Sequence, residues 1–265
     1  MEMFAQNSLL LYPMCVLEGF SDVKFGLPIK LMKGETTIRT IAKFSGQDHN
    51  SLFIQCHIES DLTNSKGEIF GPPRIHHEAT LRLLKDGAER DSELAFTALP
   101  GRGKASFQPS FIYDRFFHGP CFQVHGGLVK GIYDADDVGA DGIALLRSQL
   151  PNTQLFEEEP TLLESLPMLI EACFQNAGLV AMEHDGLSSL PIGIEECEIL
   201  KVPAKRDDLR VRSIRRGTED GGITIHDAMV FDRNQKPIIS LKGLRLKGMA
   251  PIPEELKFTL NRKSK

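Results

Sequence analysis

One strongly periodic helix set among long strand-like segments constrains this chain more than any other feature. Leu162, Leu163, Leu166, Leu169, Ile170, Cys173, Phe174 and Ala177 recur at helical spacing. Thr161, with Glu164 three residues later, has capping-box spacing. Pro160 and Pro167 each fit a first turn, so the start lies near one of them. Nearly everything else reads as strand. Residues 22–31, 36–44, 51–60, 74–84, 122–133 and 142–147 precede the helix, and 191–202, 209–216, 223–231 and 237–246 follow it. Asp232-Arg233-Asn234-Gln235 is turn chemistry for a hairpin. An antiparallel sheet curved round one central helix satisfies this order, which makes the fold class α+β.

The strands ahead of the helix suggest a duplicated unit, by element order alone and without a residue-level repeat. The stretch 99–110 is rich in Gly, Pro and Ser and has no apolar period. The expected organisation is therefore a first half over 1–98, a linker over 99–110, a second half over 111–250 and a tail over 251–265. Pro251-Ile252-Pro253 reads as the exit from the second half.

At 265 residues, 41% hydrophobic and 25% charged, the composition is that of a soluble globular protein. A net charge of -5 argues against nucleic acid, which wants a concentrated basic surface. The basic end, Asn261 to Lys265, reads as a solvated tail. The five cysteines are odd in number, widely spaced and without a C-x-x-C. That favours free thiols in a reducing compartment over a disulfide framework or a zinc site. No apolar run reaches the length of a membrane span, and residues 8–12 are too short for a signal-peptide core. The expected location is the cytosol.

Two places could carry chemistry. Glu171 and Gln175 stand one turn apart on the helix, among Leu169, Ile170, Ala172, Cys173 and Phe174. A carboxylate in such company is partly desolvated and suited to proton transfer. The same spacing also fits an ordinary polar pair on a solvent face. His118 follows two phenylalanines and precedes Gly119-Pro120, a pair that bends the chain and lets a ligand approach the backbone. It reads as a proton-moving residue or as a structural histidine in a turn. His76 and His77 are adjacent in a strand, so their side chains should point to opposite faces. His226 and Asp227 are adjacent in the same way. No metal-binding spacing of His and Cys is present, and Gly101-Arg102-Gly103-Lys104 lacks the full phosphate-loop pattern.

The run FFHGPCFQ, residues 116–123, resembles the Tyr/His-Gly-Pro-x-Phe-Gln segment of dehydratase domains of polyketide synthases and polyunsaturated-fatty-acid synthases. LPMLIEACFQNAGL, residues 166–179, resembles that family's helix, commonly H-P-x-L-L-D-x-x-x-Q. Residues 227–248 resemble its closing hairpin, whose last strand often reads E-G-L-R-L. VLEGFSDVKFGLPIKL and GPPRIHHEATLRLL resemble its first-half strands. The likeness implies a double hot-dog fold, with antiparallel sheets wrapped round two central helices. It implies removal of water from a 3-hydroxyacyl chain held as a thioester, in polyketide or fatty-acid synthesis. It implies a first-half histidine as base and places Glu171 and Gln175 in the catalytic set, with Gly119, Pro120 and Phe122 around the substrate; His118, in the turn that shapes the thioester pocket, is the candidate catalytic histidine of this chain. The implied partner is an acyl carrier protein with a phosphopantetheine-linked acyl chain. Neighbouring synthase domains and a homodimer are further partnerships open to it. No cofactor and no metal are implied, because the reaction needs only acid–base groups and an oxyanion site.

The family's first-half signature, H-x-x-x-G-x-x-x-x-P, is not met. Counting back from Pro13 puts Ser8 at the glycine and Phe4 at the histidine. Few residues separate Pro13 from the strand at Asp22, so the first helix is expected to be short or missing and the first half incomplete. Either the signature lies upstream of Met1 or the first half is degenerate. Three functions follow: a working dehydratase, a non-catalytic relative that binds acyl chains or a carrier protein or serves a structural role, or another thioester activity such as hydrolysis or product-template-like cyclisation.

Overall fold

The computed structural model describes residues 1–29, 37–64, 66–86, 125–133, 140–146, 162–201, 209–232 and 234–252. They fall into two compact units. Unit 1 is Met1–Ser92 with Ile192–Glu198, and unit 2 is Glu93–Pro191 with Ile199–Lys265. Both are antiparallel sheet with few helices, as expected of the fold class.

Unit 1 contains α1 (Glu2–Leu11), β1 (Val16–Phe25), β2 (Ile38–Gln47), β3 (Ser51–Ser60) and β4 (Arg74–Leu84). Its strands lie in the order β2-β3-β4-β1, all antiparallel. Residues Ile192–Glu198 of β7 (Leu187–Ile199) then pair with β1, for example Phe20 with Cys197. β3 and β4 alternate as a half-buried sheet should: Ile54, Cys56 and Ile58, and Ala79, Leu81 and Leu83, point into the core. β1 does not alternate. Its core residues Leu17, Phe20 and Val23 are three apart, because register shifts fall between Leu17 and Gly19 and between Ser21 and Lys24. Each bulge inserts one residue and re-phases the strand. That is why β1 starts six residues before the expected position of 22. Gly19 is required here, since a Cβ on it would collide with the Cys197 carbonyl oxygen.

The first helix is short but present. α1 has ten residues and buries Phe4, Ala5 and Ser8 on one face against β1 to β4. It stops at Tyr12, whose φ of -131 and ψ of 68 lie outside the helical region. Pro13 explains this, since a proline disfavours the α conformation in the residue before it.

Unit 2 contains β5 (His125–Tyr133), β6 (Ala140–Leu146), α2 (Leu162–Asp185), β8 (Arg210–Glu219), β9 (Ile223–Phe231) and β10 (Pro237–Pro251). The strand order is β10-β9-β8-β6-β5. α2 packs against β6, β8, β9 and β10, the sheet curving round the helix. From Leu169 to Met182 every residue is buried except Glu171 and Phe174, which are half-buried. A helix covered on all sides is a core element rather than a surface one. It begins at Leu162, so Pro167 lies inside it and removes one backbone bond of the second turn. It ends where Gly186 takes φ +66 and donates its N–H to the Met182 carbonyl at 3.1 Å.

The hairpin turn falls where the residues place it. The Asp232 carboxylate accepts the backbone N–H of Asn234 and of Lys236, both at 2.9 Å. β10 differs from expectation by running on to Pro251, and Ile252 is buried and donates to the Gly186 carbonyl at 2.9 Å. The chain therefore does not exit at 251–252. Among the described residues no helix is long and apolar enough to cross a membrane. Cys15, Cys56 and Cys197 carry free thiols.

Candidate functional site

α2 brings Glu171 and Gln175 together one turn apart. Gln175 Nε2 donates to Glu171 Oε1 at 2.7 Å. Gln175 is only 2% exposed and Glu171 is half-buried, so this is not a polar pair on a solvent face. Burial pushes the Glu171 carboxyl above its ordinary pKa, and the Gln175 hydrogen bond pulls weakly the other way. With Oε1 occupied by the amide, Oε2 is the oxygen left to carry the proton. The arrangement is a held carboxylic acid that keeps its proton to higher pH than a solvated one.

Polar ties fix α2 against the strands beside it. Asn176 Nδ2 donates to Ser213 Oγ at 2.9 Å, inside the core. Arg215 grips Asp185 with two bonds, Nε to Oδ2 at 3.0 Å and Nη2 to Oδ1 at 2.8 Å. Asp185 is the last residue of the helix, where a negative charge opposes the helix dipole, and the guanidinium offsets it. His184 Nδ1 lies 3.2 Å from the same carboxylate. His226 is fully buried, with Nε2 2.9 Å from Thr224 Oγ1. Burial lowers its pKa to about 4, chiefly against the upward pull of Asp185, so the ring is neutral at pH 7. Its neighbour Asp227 accepts from Arg216 Nε at 2.7 Å and from the Gly243 N–H at 3.0 Å, where β10 bulges. The Asp185–Arg215 pair has no local sequence signal, because its members are 30 positions apart.

His118, Gly119, Pro120 and Phe122 lie outside the described residues. In unit 1, Phe4 and Ser8 are buried on α1, with Ser8 Oγ 3.5 Å from the Cys56 thiol. Nothing on the buried face Phe4–Ala5–Ser8 can accept a proton as a histidine would. The adjacent histidines depart from simple alternation. The register of β3 on β4 shifts between Ile58 and Glu59, opposite this pair, and the two ring centroids are 6.4 Å apart. His76 is buried with both nitrogens engaged, Nδ1 to the Leu27 carbonyl at 2.9 Å and Nε2 to Ser60 Oγ at 2.8 Å. His77 is half-buried against the edge of Phe25, and burial lowers its pKa. Among the described residues no group of three or more His, Cys, Asp or Glu could hold a metal ion.

Residues 94–252 match the family Polyketide synthase dehydratase N-terminal domain. Solved structures of similar fold include a trans-AT polyketide synthase dehydratase domain from Brevibacillus brevis, 17% identical, with a TM-score of 0.64 over 94% of this chain and 83% of that one. The dehydratase domain of the CurF module of the curacin polyketide synthase is 18% identical, with a TM-score of 0.61 over 94% and 82%. A pyran synthase domain from module nine of the sorangicin pathway is 14% identical, with a TM-score of 0.57 over 93% and 83%. No curated protein sequence matches.

Proposed function

The chain belongs to the polyketide synthase dehydratase family, and from that premise we propose that it dehydrates 3-hydroxyacyl thioesters carried on an acyl carrier protein, with Glu171 as the proton donor. The observation that carries this reading is the half-buried Glu171 carboxyl held by Gln175 on the core helix. Dehydration needs an acid that keeps its proton at neutral pH and gives it to the departing 3-hydroxyl. Burial moves the Glu171 carboxyl in that direction, and the Gln175 amide fixes which oxygen donates. Glutamate in place of the family's aspartate reaches one methylene further. The FFHGPCFQ run supports His118, Gly119, Pro120 and Phe122 as walls around the thioester, and His118 is the candidate for the C2 proton in place of the first-half histidine that the family uses. The phosphopantetheine arm of the carrier delivers the acyl chain, and the protein works in the cytoplasm beside other synthase domains.

A second reading has its own support. Phe4 and Ser8 stand where the sparse first-half signature would want histidine and glycine, and both are packed away. A relative of this kind would bind the acyl chain or the carrier protein without turning it over. Incubation with a 3-hydroxyacyl N-acetylcysteamine thioester separates the two. Turnover that Glu171→Gln removes supports the first reading. Turnover unchanged by that substitution sinks the role of Glu171. Saturable binding with no turnover by the native chain selects the second.

A further inference from the structure

Unit 1 holds a serine and a histidine in the relation of nucleophile and base. Ser60 Oγ lies 2.8 Å from His76 Nε2, and His76 Nδ1 lies 2.9 Å from the Leu27 carbonyl oxygen. A carbonyl can only accept, so Nδ1 must carry the ring proton of the neutral imidazole. Nε2 is then a lone pair, and the Ser60 hydroxyl donates to it. A base held in one tautomer by a third group, with a hydroxyl aimed at its free nitrogen, is the general arrangement of an activated nucleophile. The local fold explains why it forms. Ser60 ends β3, and the extra residue in β4 at this point sets His76 beside it instead of leaving it in the ladder.

Two further features point outward from the couple. Arg74 is the direct cross-strand partner of Ser60 and is exposed. Such pairs have Cβ atoms about 5 Å apart, so the guanidinium can reach a negative charge developing next to Ser60 Oγ. Ser60 is 8% exposed and His76 4%, so the couple is buried and the serine is the less covered of the two.

We propose that Ser60 and His76 form an acyl-accepting site in unit 1, taking the acyl group of a small thioester or ester. His76 Nε2 removes the hydroxyl proton as the Ser60 Oγ–carbon bond forms. The carbon–sulfur bond then breaks, and the same proton goes to the leaving thiolate. Water, deprotonated by His76, then attacks the acyl carbon, the carbon–Oγ bond breaks, the proton on His76 passes to Ser60 Oγ, and the carboxylic acid leaves. The site is independent of Glu171 and stands or falls without the dehydratase reading.

The test uses the full chain and a small fluorophosphonate, followed by peptide mass spectrometry. The expected result is one adduct on Ser60, absent in Ser60→Ala, reduced at least tenfold in rate in His76→Gln, and unchanged in Glu171→Gln. A second arm covers poor access by that probe. Ser60→Cys should be alkylated by iodoacetamide at least tenfold faster than the same thiol in the His76→Gln background. No adduct on Ser60, labelling indifferent to His76, or equal alkylation rates in the two backgrounds overturns the proposal.

Discussion

α1 and α2 each lie on an antiparallel sheet, and they are held there by different means. α1 presents one face, Phe4, Ala5 and Ser8, with a weak contact from Ser8 to Cys56 and one hydrogen bond from Asn7 Nδ2 to the Thr40 carbonyl at 3.2 Å. α2 is buried almost all round and carries polar groups into its core: Glu171 with Gln175, Asn176 with Ser213, and Asp185 with Arg215. An apolar contact tolerates rotation and sliding better than a hydrogen bond does. α2 is therefore the helix whose rotation is more closely specified, and it is the one that carries the candidate acid. The difference teaches where chemistry can be placed, since a proton donor must be held to a fraction of an ångström.

That contrast can be broken by experiment. The largest effect is expected from Glu171→Gln, which should lower turnover of a 3-hydroxyacyl thioester by about 10²- to 10⁴-fold, while Ser8→Ala on the other helix leaves it near the native rate. Equal losses from both would end the distinction between the helices. Next is Arg215→Leu, which strands the Asp185 charge at the buried end of α2. Urea denaturation should show a loss of about 3–5 kcal/mol, and a smaller loss when Asp185→Asn is added.

A third expectation concerns acid. His226 is held at about 4 in the fold, against 6.5 unfolded. Its contribution to stability is present above pH 6.5 and is lost as pH falls toward 4, because the unfolded chain binds the extra proton. The shift corresponds to about 3 kcal/mol. Urea midpoints at pH 7 and pH 4 should differ accordingly, and less so in His226→Gln. The smallest effect belongs to α1: Ser8→Ala should cost less than about 1 kcal/mol, because its partner is a thiol at 3.5 Å.

Much of the fold was legible where local pattern and tertiary demand agree. β3, β4 and β9 begin and end where alternation and turn residues put them. α2 was visible because its apolar positions repeat without a break through about four turns. β1 was displaced because its two bulges change the spacing of core residues from two to three, which no period-2 template matches. α1 was hard to see because ten residues with one narrow buried face make a weak periodic signal. At the site, Glu171 and Gln175 were legible as polar residues at i and i+4 in apolar company. The upward shift of Glu171 was legible as one of two readings, and the choice against a solvent-face pair depends on the strands that pack over the helix. Arg215 and Asp185 could not be paired from sequence at all, and Ser60 and His76 meet only because β4 bulges opposite the end of β3.

The strand segment Ile192–Glu198, which pairs with β1, has a consequence for how the protein can be made. Unit 1 is discontinuous along the gene. A ribosome that has synthesised everything through Ser92 has still not made the neighbour that β1 needs. β4 can pair with one edge of Gly19 to Lys24, but the other edge must wait, open, until all of α2 has emerged. An open edge of that kind invites pairing with other nascent chains, and closing it late is a long-range event of the sort that slows folding. A gene fragment cut after Ser92 would carry the same open edge permanently, so the smallest piece worth expressing as unit 1 must bring Ile192–Glu198 with it.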